Sequence, residues 1–183
     1  IVPGDKIVSL NGQPIRDIID WKWLVEAKNV IEVEHSDGRR QQIHITSNNY
    51  NLGIELDNII FDGIKKCKNN CIFCFMKQLP QGLRPSLYLK DDDYRLSFYS
   101  GTFVTLTNLE EEDIARIIEQ HISPLRFSLH AIDPQVREEM IGKNAHRAMQ
   151  NFDKLKAAGI EFYVQIVLIP GINDGDTLEE TLN

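Results

Sequence analysis

The sequence predicts an α/β protein, because segments with the apolar pattern of β-strands alternate with segments of helical periodicity along most of its length. Of its 183 residues, 42% are hydrophobic and 26% are charged, which allows the chain to bury a core without disulfide bonds. The pattern changes after residue 50, where a hairpin gives way to longer units of strand and helix. We therefore predict a small mixed domain over residues 1–50 and a second domain, of about four βα units, over residues 51–183.

In the first domain, turn residues separate short apolar segments. Asn11-Gly12 is a strong turn signal after a strand over residues 6–10. Apolar residues then recur at helical spacing between Pro14 and Asn29. The next two strands, residues 30–34 and 41–45, flank Ser36-Asp37-Gly38 and predict a β-hairpin.

The second domain is predicted from the order of its apolar segments. Asp133 has the position of an N-cap before Pro134, and Gly159 follows the last helix as a stop signal. The nearly unbroken apolar segment 162–169 predicts a strand with helices on both faces of its sheet. We expect strands over residues 58–61, 96–98, 103–106, 125–129 and 162–169, and helices over 110–121, from 134 onward, and over 145–158.

The net charge and the length of the apolar segments restrict the choice of partners. The net charge is -7 and no Lys/Arg-rich run occurs, which argues against nucleic acid as the main partner. No segment approaches the roughly 18 consecutive apolar residues of a transmembrane helix, so we expect no membrane partner.

The chain begins at Ile1 without an initiator methionine or signal peptide, and its last residues have the pattern of a helix cut short. We interpret the chain as an internal fragment and expect little activity from it alone.

The cysteines carry the strongest chemical signal. Cys67, Cys71 and Cys74 all lie within eight residues, and an odd number at this spacing argues against disulfides and for a reducing compartment, which we take to be the cytoplasm. Three thiolates on one short loop can bind three irons of a four-iron cluster. The alternative is zinc, which usually takes four ligands from Cys or Cys/His pairs. No second cysteine pair exists, and no histidine lies nearer in sequence than His44 or His121.

The Cys-x3-Cys-x2-Cys spacing, with the aromatic Phe73 directly before the last cysteine, resembles the cluster motif of the radical S-adenosylmethionine (SAM) enzymes. The resemblance implies a 4Fe-4S cluster on Cys67, Cys71 and Cys74, with SAM on the fourth iron and Phe73 at the cofactor site. It implies reductive cleavage of SAM to a 5′-deoxyadenosyl radical that acts on an unknown substrate. Flavodoxin or ferredoxin would supply the electron, and no residue is assigned to the later chemistry.

A second resemblance concerns the first fifty residues. The segments 3–7 and 10–15 resemble the middle of a PDZ domain, whose peptide-binding glycine-rich loop would lie upstream and is absent here. We therefore carry over the fold and not the peptide binding. Together with segments 74–80, 87–98, 101–109 and 165–174, the chain resembles bacterial proteins in which a PDZ-like domain is fused to a radical SAM domain. This implies a truncated PDZ-like domain followed by a partial (β/α) radical SAM barrel, itself truncated.

Polar residues after two predicted strands are candidates for cofactor binding. Many radical SAM enzymes hold the amino group of SAM with a Gly-Gly-Glu motif, which is absent here; Thr105, Thr107 and Asn108 are the polar substitutes. The alternative is that Thr107 or Asn108 caps the next helix, with Glu110 or Glu111 completing a capping box. The resemblance also implies that Gln165 binds the ribose of SAM, and the alternative is a hydrogen bond to a neighbouring strand.

Other polar residues have competing interpretations. Ser128 and His130 follow a predicted strand, at the edge where barrel active sites assemble, and His130 is either a proton donor or a structural group. Asp91-Asp92-Asp93 is interpreted as a solvated turn, with Lys90, Tyr94 or Arg95 in ligand binding as the alternative. For the whole protein, the alternative to a radical SAM enzyme is a zinc-stabilised or PDZ-type scaffold without catalysis.

Overall fold

The computed structural model describes residues 1–47 and 49–183, which divide into two compact units, Ile1–Gly63 and Ile64–Asn183. Both helices and strands are present, in agreement with the predicted α/β class. Within the described residues, no helix combines the length and the apolar character needed to cross a bilayer.

The first unit is built on an antiparallel sheet with strand order β2-β1-β3-β4. Its strands are β1 (Lys6–Leu10), β2 (Gln13–Pro14), β3 (Lys28–Glu34) and β4 (Arg40–Thr46), and its helix is α1 (Ile18–Leu24). Alternate residues of β3 are buried, as expected for a strand with one face on the core. The core consists of Leu10, Trp21, Val25, Ile31 and Val33. The predicted first strand, helix and hairpin are therefore confirmed.

The second unit contains a parallel pair of strands, β5 (Leu125–Ser128) and β6 (Phe162–Gln165). Val104 adds a single parallel bridge to Phe127 of β5. The helices are α2 (Tyr94–Ser100), α3 (Glu111–Glu119), α4 (Pro134–Ile141), α5 (Ala145–Ala157) and α6 (Gly175–Leu182), and short 3-10 helices cover Phe75–Lys77 and Pro85–Tyr88. Helices α4 and α5 connect β5 to β6, which is the crossover that parallel strands require.

Aromatic packing holds the connecting helices against the parallel strands. The ring of Phe127, which is fully buried in β5, stacks on Phe152 of α5 at a centroid distance of 5.0 Å. Phe162 of β6 packs on Phe152 at 4.8 Å. These contacts fix where the carboxyl ends of the two strands lie, and that is the edge where ligands bind in parallel sheets.

Three of the predicted strands are wrong or reduced. Residues 96–98 belong to helix α2, because the Asp93 side chain caps its first turn through the backbone N–H of Arg95 and Gly101 ends it at a φ of 78°. Residues 103–106 form only the Val104 bridge, and residues 58–61 only a bridge between Ile60 and Asp17. Each of these apolar segments is too short for its periodicity to distinguish a strand from other structures.

The predicted strand 162–169 ends at Gln165. Beyond this residue the backbone bonds to side chains: Val167 N–H donates to Nδ1 of His130 at 3.1 Å, and Ile169 N–H donates to Oδ1 of Asn173 at 2.7 Å. Tyr163 and Val164 are 58% and 49% exposed. The expectation that helices cover both faces of this strand is therefore wrong.

Candidate metal and cofactor site

The cysteine loop is attached to two separate parts of the second unit. Cys67 N–H donates to the carbonyl oxygen of Lys90 at 2.9 Å, and Ile72 N–H donates to the carbonyl oxygen of Met140 at the end of α4 at 3.0 Å. Cys74 N–H donates to the carbonyl oxygen of Cys71 at 3.2 Å, which makes a tight turn between the last two cysteines. The loop is thus held at its start, middle and end by backbone hydrogen bonds.

All three cysteines are free thiols in a partly apolar environment. Cys71 and Cys74 are 7% and 8% exposed and pack with Ala131, Met140, Ile141 and Ala145, with Phe73 and Met76 against the same cluster. Burial raises the pKa of the Cys71 thiol, and the neighbouring Cys74 raises it further. Burial also raises the pKa of the Cys67 thiol, as does the carboxylate of Asp92. The Cys67 and Cys71 thiols are therefore protonated at neutral pH, and their binding of a metal would release protons.

Within residues 1–47 and 49–183, no group of three or more Cys, His, Asp or Glu side chains is arranged as a metal site. The structure thus places Cys67, Cys71 and Cys74 on one loop as free thiols. Their role as cluster ligands stays a prediction, and so does the alternative of zinc.

A polar network connects the cysteine loop with the candidates after Val104. Asn69, which lies between Cys67 and Cys71, donates from Nδ2 to the hydroxyl oxygens of Thr105 at 2.9 Å and Thr107 at 2.8 Å. The Asp92 carboxylate accepts from the N–H and the hydroxyl of Thr105, both at 2.6 Å. Asn108 donates from Nδ2 to the carbonyl oxygen of Asp92 at 2.8 Å. The structure therefore bonds Thr105 and Thr107 to the loop, whereas Asn108 joins the network through Asp92.

Two oxygens of this region are buried and have no hydrogen-bond partner among the described residues. They are Oδ1 of Asn108 and Oδ2 of Asp91. A buried acceptor without a donor is costly, so such an atom indicates a position where a ligand with N–H or O–H groups can bind. Oδ1 of Asn108 and Oδ2 of Asp91 are thus the acceptors near the loop that the described residues leave unpaired.

Helix capping does not occupy the Thr107 and Asn108 side chains in the way predicted. Helix α3 is capped by Glu110, whose N–H is bonded to the Asp113 carboxylate at 2.9 Å. The predicted capping box is therefore shifted to Glu110 and Asp113, and Thr107 and Asn108 take part in the network at the cysteine loop instead. The Asp133 cap is confirmed, since its carboxylate accepts from Gln135 N–H and Val136 N–H.

The interpretation of residues 91–93 as a solvated turn is wrong. Asp92 and Asp93 are 1% and 0% exposed. Asp93 forms an ion pair with Arg95, and Arg116 donates to the Tyr94 hydroxyl at 3.0 Å. Burial raises the pKa of Asp92, although hydrogen bonds from Thr105 partly oppose this. Asp92 and Asp93 are therefore buried, hydrogen-bonded residues of the second unit.

Gln165 and Ser128 lie side by side at the carboxyl ends of the parallel strands. The backbone oxygen of Gln165 accepts from Leu129 N–H at 3.0 Å and from His130 N–H at 3.2 Å. These bonds involve the main chain of Gln165, so its predicted side-chain role toward the ribose stays a prediction.

His130 joins the cysteine loop to the segment after β6. Its ring meets that of Phe73 edge-on at a centroid distance of 4.6 Å. Nδ1 accepts from Val167 N–H, and the His130 carbonyl oxygen accepts from Nδ2 of Asn173 at 2.8 Å. Burial lowers the pKa of His130 to about 4, and the charge of Arg137 contributes. The imidazole is therefore neutral near pH 7 and carries its proton on Nε2, an arrangement that favours the structural role for Nδ1.

The buried His130 predicts a loss of stability in acid. An unfolded imidazole takes up its proton near pH 6.5, whereas the folded one does so only at about 4. Between these values the unfolded state binds more protons, so the free energy of unfolding decreases as the pH falls, by up to about 3 kcal/mol at pH 4. Urea denaturation from pH 7 to pH 4.5 measures this loss.

The matched variant is His130→Asn, because asparagine tolerates the φ of 64° at this position. It cannot titrate in this range, so its stability is expected to change less between pH 7 and pH 4.5 than that of the wild type. An equal pH dependence in both proteins would contradict this assignment.

Sequence reasoning missed three residues of the site. Asn69 could have been noticed as an amide inside the cysteine motif. Arg137 lies three and four residues before Met140 and Ile141, so it shares a helix face with buried apolar residues. For Asn173, no local signal indicates that its amide bridges His130, Val167 and Ile169.

Residues 46–183 match the model of the family described as a radical SAM-like domain. The match covers most of the chain, and the chain belongs to this family. No curated protein and no solved structure gives a significant match. The predicted superfamily is thus confirmed, while the PDZ-like interpretation of the first fifty residues stays a prediction, since the matched region begins at residue 46.

Proposed function

We propose that this protein is a radical SAM enzyme that binds a 4Fe-4S cluster through Cys67, Cys71 and Cys74 and binds SAM beside it. The observation that supports this most is the combination of three free thiols on one eight-residue loop with a buried polar network in which Oδ1 of Asn108 has no hydrogen-bond partner among the described residues. The family match supports it independently. These cofactors supply reductive cleavage of SAM, which starts a radical reaction on the substrate.

The chain's own residues would position the ligand. Oδ1 of Asn108 is the best acceptor for the amino group, because the hydroxyls of Thr105 and Thr107 already bond to Asn69 and to each other. Phe73 lies next to Cys74 and shields the loop on the side of His130. Gln165 would bind the ribose from the end of β6. The substrate is unidentified, and the electron would come from flavodoxin or ferredoxin.

The test is anaerobic reconstitution of the full-length protein with iron and sulfide. We expect about four irons per chain, and 5′-deoxyadenosine should accumulate when dithionite and SAM are added. A fully loaded protein that forms no 5′-deoxyadenosine would contradict the enzymatic function. A colourless protein that retains one zinc per chain through anaerobic purification would instead support the zinc-stabilised scaffold.

A further inference from the structure

The segment 64–90, which includes the three cysteines, is cationic in an otherwise acidic chain. It contains six of the 20 Lys and Arg residues and none of the 27 Asp and Glu residues, although the net charge of the chain is -7. Its cations are Lys65, Lys66, Lys68, Lys77, Arg84 and Lys90. Such a concentration of one sign of charge attracts an anionic partner.

Much of this positive charge is exposed and is not neutralised by the protein. Lys66, Lys68 and Arg84 are exposed, and none of their side chains forms an ion pair within residues 1–47 and 49–183. Residues 91–93, which follow the segment, do not offset it. Two of these three aspartates are at most 1% exposed, and Oδ2 of the first is buried. The segment therefore presents cations to solvent.

Backbone contacts close the segment into one loop around the cysteines. Lys66 pairs with Asp91 in an antiparallel bridge, which brings the two ends of the segment together. Nζ of Lys77 donates to the carbonyl oxygen of Cys71 at 3.3 Å, and Nζ of Lys90 also donates to a backbone carbonyl oxygen of the cysteine motif. The positive charge thus lies beside the candidate cluster site.

The same loop exposes large apolar side chains. Ile72 and Phe75, which lie within and directly after the cysteine motif, are 52% and 70% exposed. Leu83, Leu87 and Tyr88 are exposed as well, and the Tyr88 hydroxyl accepts from the backbone N–H of Leu83 at 2.9 Å, which holds this part of the loop in a turn. Exposed aromatic and aliphatic side chains among cations are typical of a surface that binds another protein.

We propose that loop 64–90 is the docking surface for an acidic electron-transfer protein. The inference rests on the proposed function and adds where its protein partner binds and by which chemistry. The reduced partner gives up one electron, and the cluster held by the same loop accepts it. Opposite charges speed the association of the two proteins, and the exposed apolar side chains supply contact area. Electron-transfer complexes bury less than about 1,200 Å², an area suited to one exposed loop.

The test is isothermal titration calorimetry of the reconstituted full-length protein with an acidic flavodoxin and with an acidic ferredoxin. Both carriers are used oxidised, so the readout is binding and not activity. The double variant Lys66→Glu/Arg84→Glu should raise the Kd of the carrier that binds by at least about tenfold. The affinity of the wild type should fall as the salt concentration rises. Leu87→Ser should weaken binding at every salt concentration, because an apolar contact is not screened.

Lys154→Glu/Lys156→Glu is the matched control, because it changes the net charge by the same amount at exposed residues of α5, outside the loop. Its Kd should stay within about twofold of the wild-type value, since exposed charges far from the contact are screened. Equal Kd values for the two double variants would overturn the inference, and so would an iron-loaded wild type that binds neither carrier. Binding of a single-stranded RNA or of phosphatidylserine vesicles through Lys66 and Arg84, in place of the carriers, would also overturn it.

Failure of the proposed function has a different readout. Iron content and the 5′-deoxyadenosine formed with dithionite test that function without any protein carrier. A wild type that assembles no cluster refutes the proposed function and this inference with it. A wild type that loads iron and forms 5′-deoxyadenosine with dithionite, but binds no carrier at the loop, refutes the docking surface alone.

Discussion

Replacement of Cys71 by alanine is expected to reduce the iron content of the reconstituted protein from about four atoms per chain to less than about one. Two remaining thiolates cannot hold three corners of a four-iron cluster. Alanine fits the surroundings of Cys71, because this residue packs in an apolar cluster with Ala131, Met140 and Ile141. The loss of iron should therefore occur without unfolding, which circular dichroism would verify.

The control for this experiment is Asn70→Ala, since Asn70 is the exposed neighbour of Cys71 on the same loop. It should load as much iron and sulfide as the wild type. Cys67→Ala and Cys74→Ala should behave like Cys71→Ala. Full loading of any of the three cysteine variants would remove that residue from the ligand set, and full loading of all three would contradict the cluster assignment.

Replacement of Asp93 by alanine is expected to destabilise the protein by about 3–5 kcal/mol. The buried carboxylate accepts from Nε of Arg95 at 2.9 Å and from Nη2 at 2.8 Å, and it also accepts from the backbone N–H of Lys65 at 2.9 Å. It caps helix α2 as well. The substitution thus removes a helix cap, leaves a buried N–H without its acceptor and takes the carboxylate away from a buried guanidinium.

Chemical denaturation of the full-length protein measures this effect, and pH provides a second measurement. Burial works to raise the pKa of Asp93, but the hydrogen bonds from Arg95 and Lys65 outweigh it, so the pKa lies below its usual value. The stabilisation is then present above the unfolded pKa of about 4 and is lost as the pH falls through the lower folded pKa. Asp93→Ala should lack this part of the acid transition.

Asp37→Ala is the matched control, because Asp37 pairs with Arg39 where both side chains are mostly exposed. Its removal should leave the stability unchanged within error, since exposed ion pairs contribute little. An Asp93→Ala protein as stable as Asp37→Ala would show that the Asp93–Arg95 pair does not stabilise the second unit.

The sequence correctly predicted the elements that are stabilised by contacts between residues close together in the chain. The turn at Asn11-Gly12, strand β3 and the cap formed by Asp133 depend on residues within a few positions of each other, and all of them are present. Segment 96–98 was predicted wrongly because so short an apolar segment does not distinguish a strand from a helix, and segment 166–169 was predicted wrongly because its backbone bonds to side chains. Residues 167 and 169 bond to side chains of His130 and Asn173, which no periodicity reveals.

The sequence by itself determined that three cysteines share one short loop, because their spacing is a property of the chain, and it determined the family through that motif. Only the tertiary structure decided that Asn69, Thr105, Thr107 and Asp92 form one network at this loop, and that Arg137 is fully buried against Phe127. These residues are up to 70 positions apart from Cys67 to Arg137. Their meeting depends on how α4 packs on the loop and how Val104 aligns with β5, and such long-range packing leaves no local pattern in the sequence.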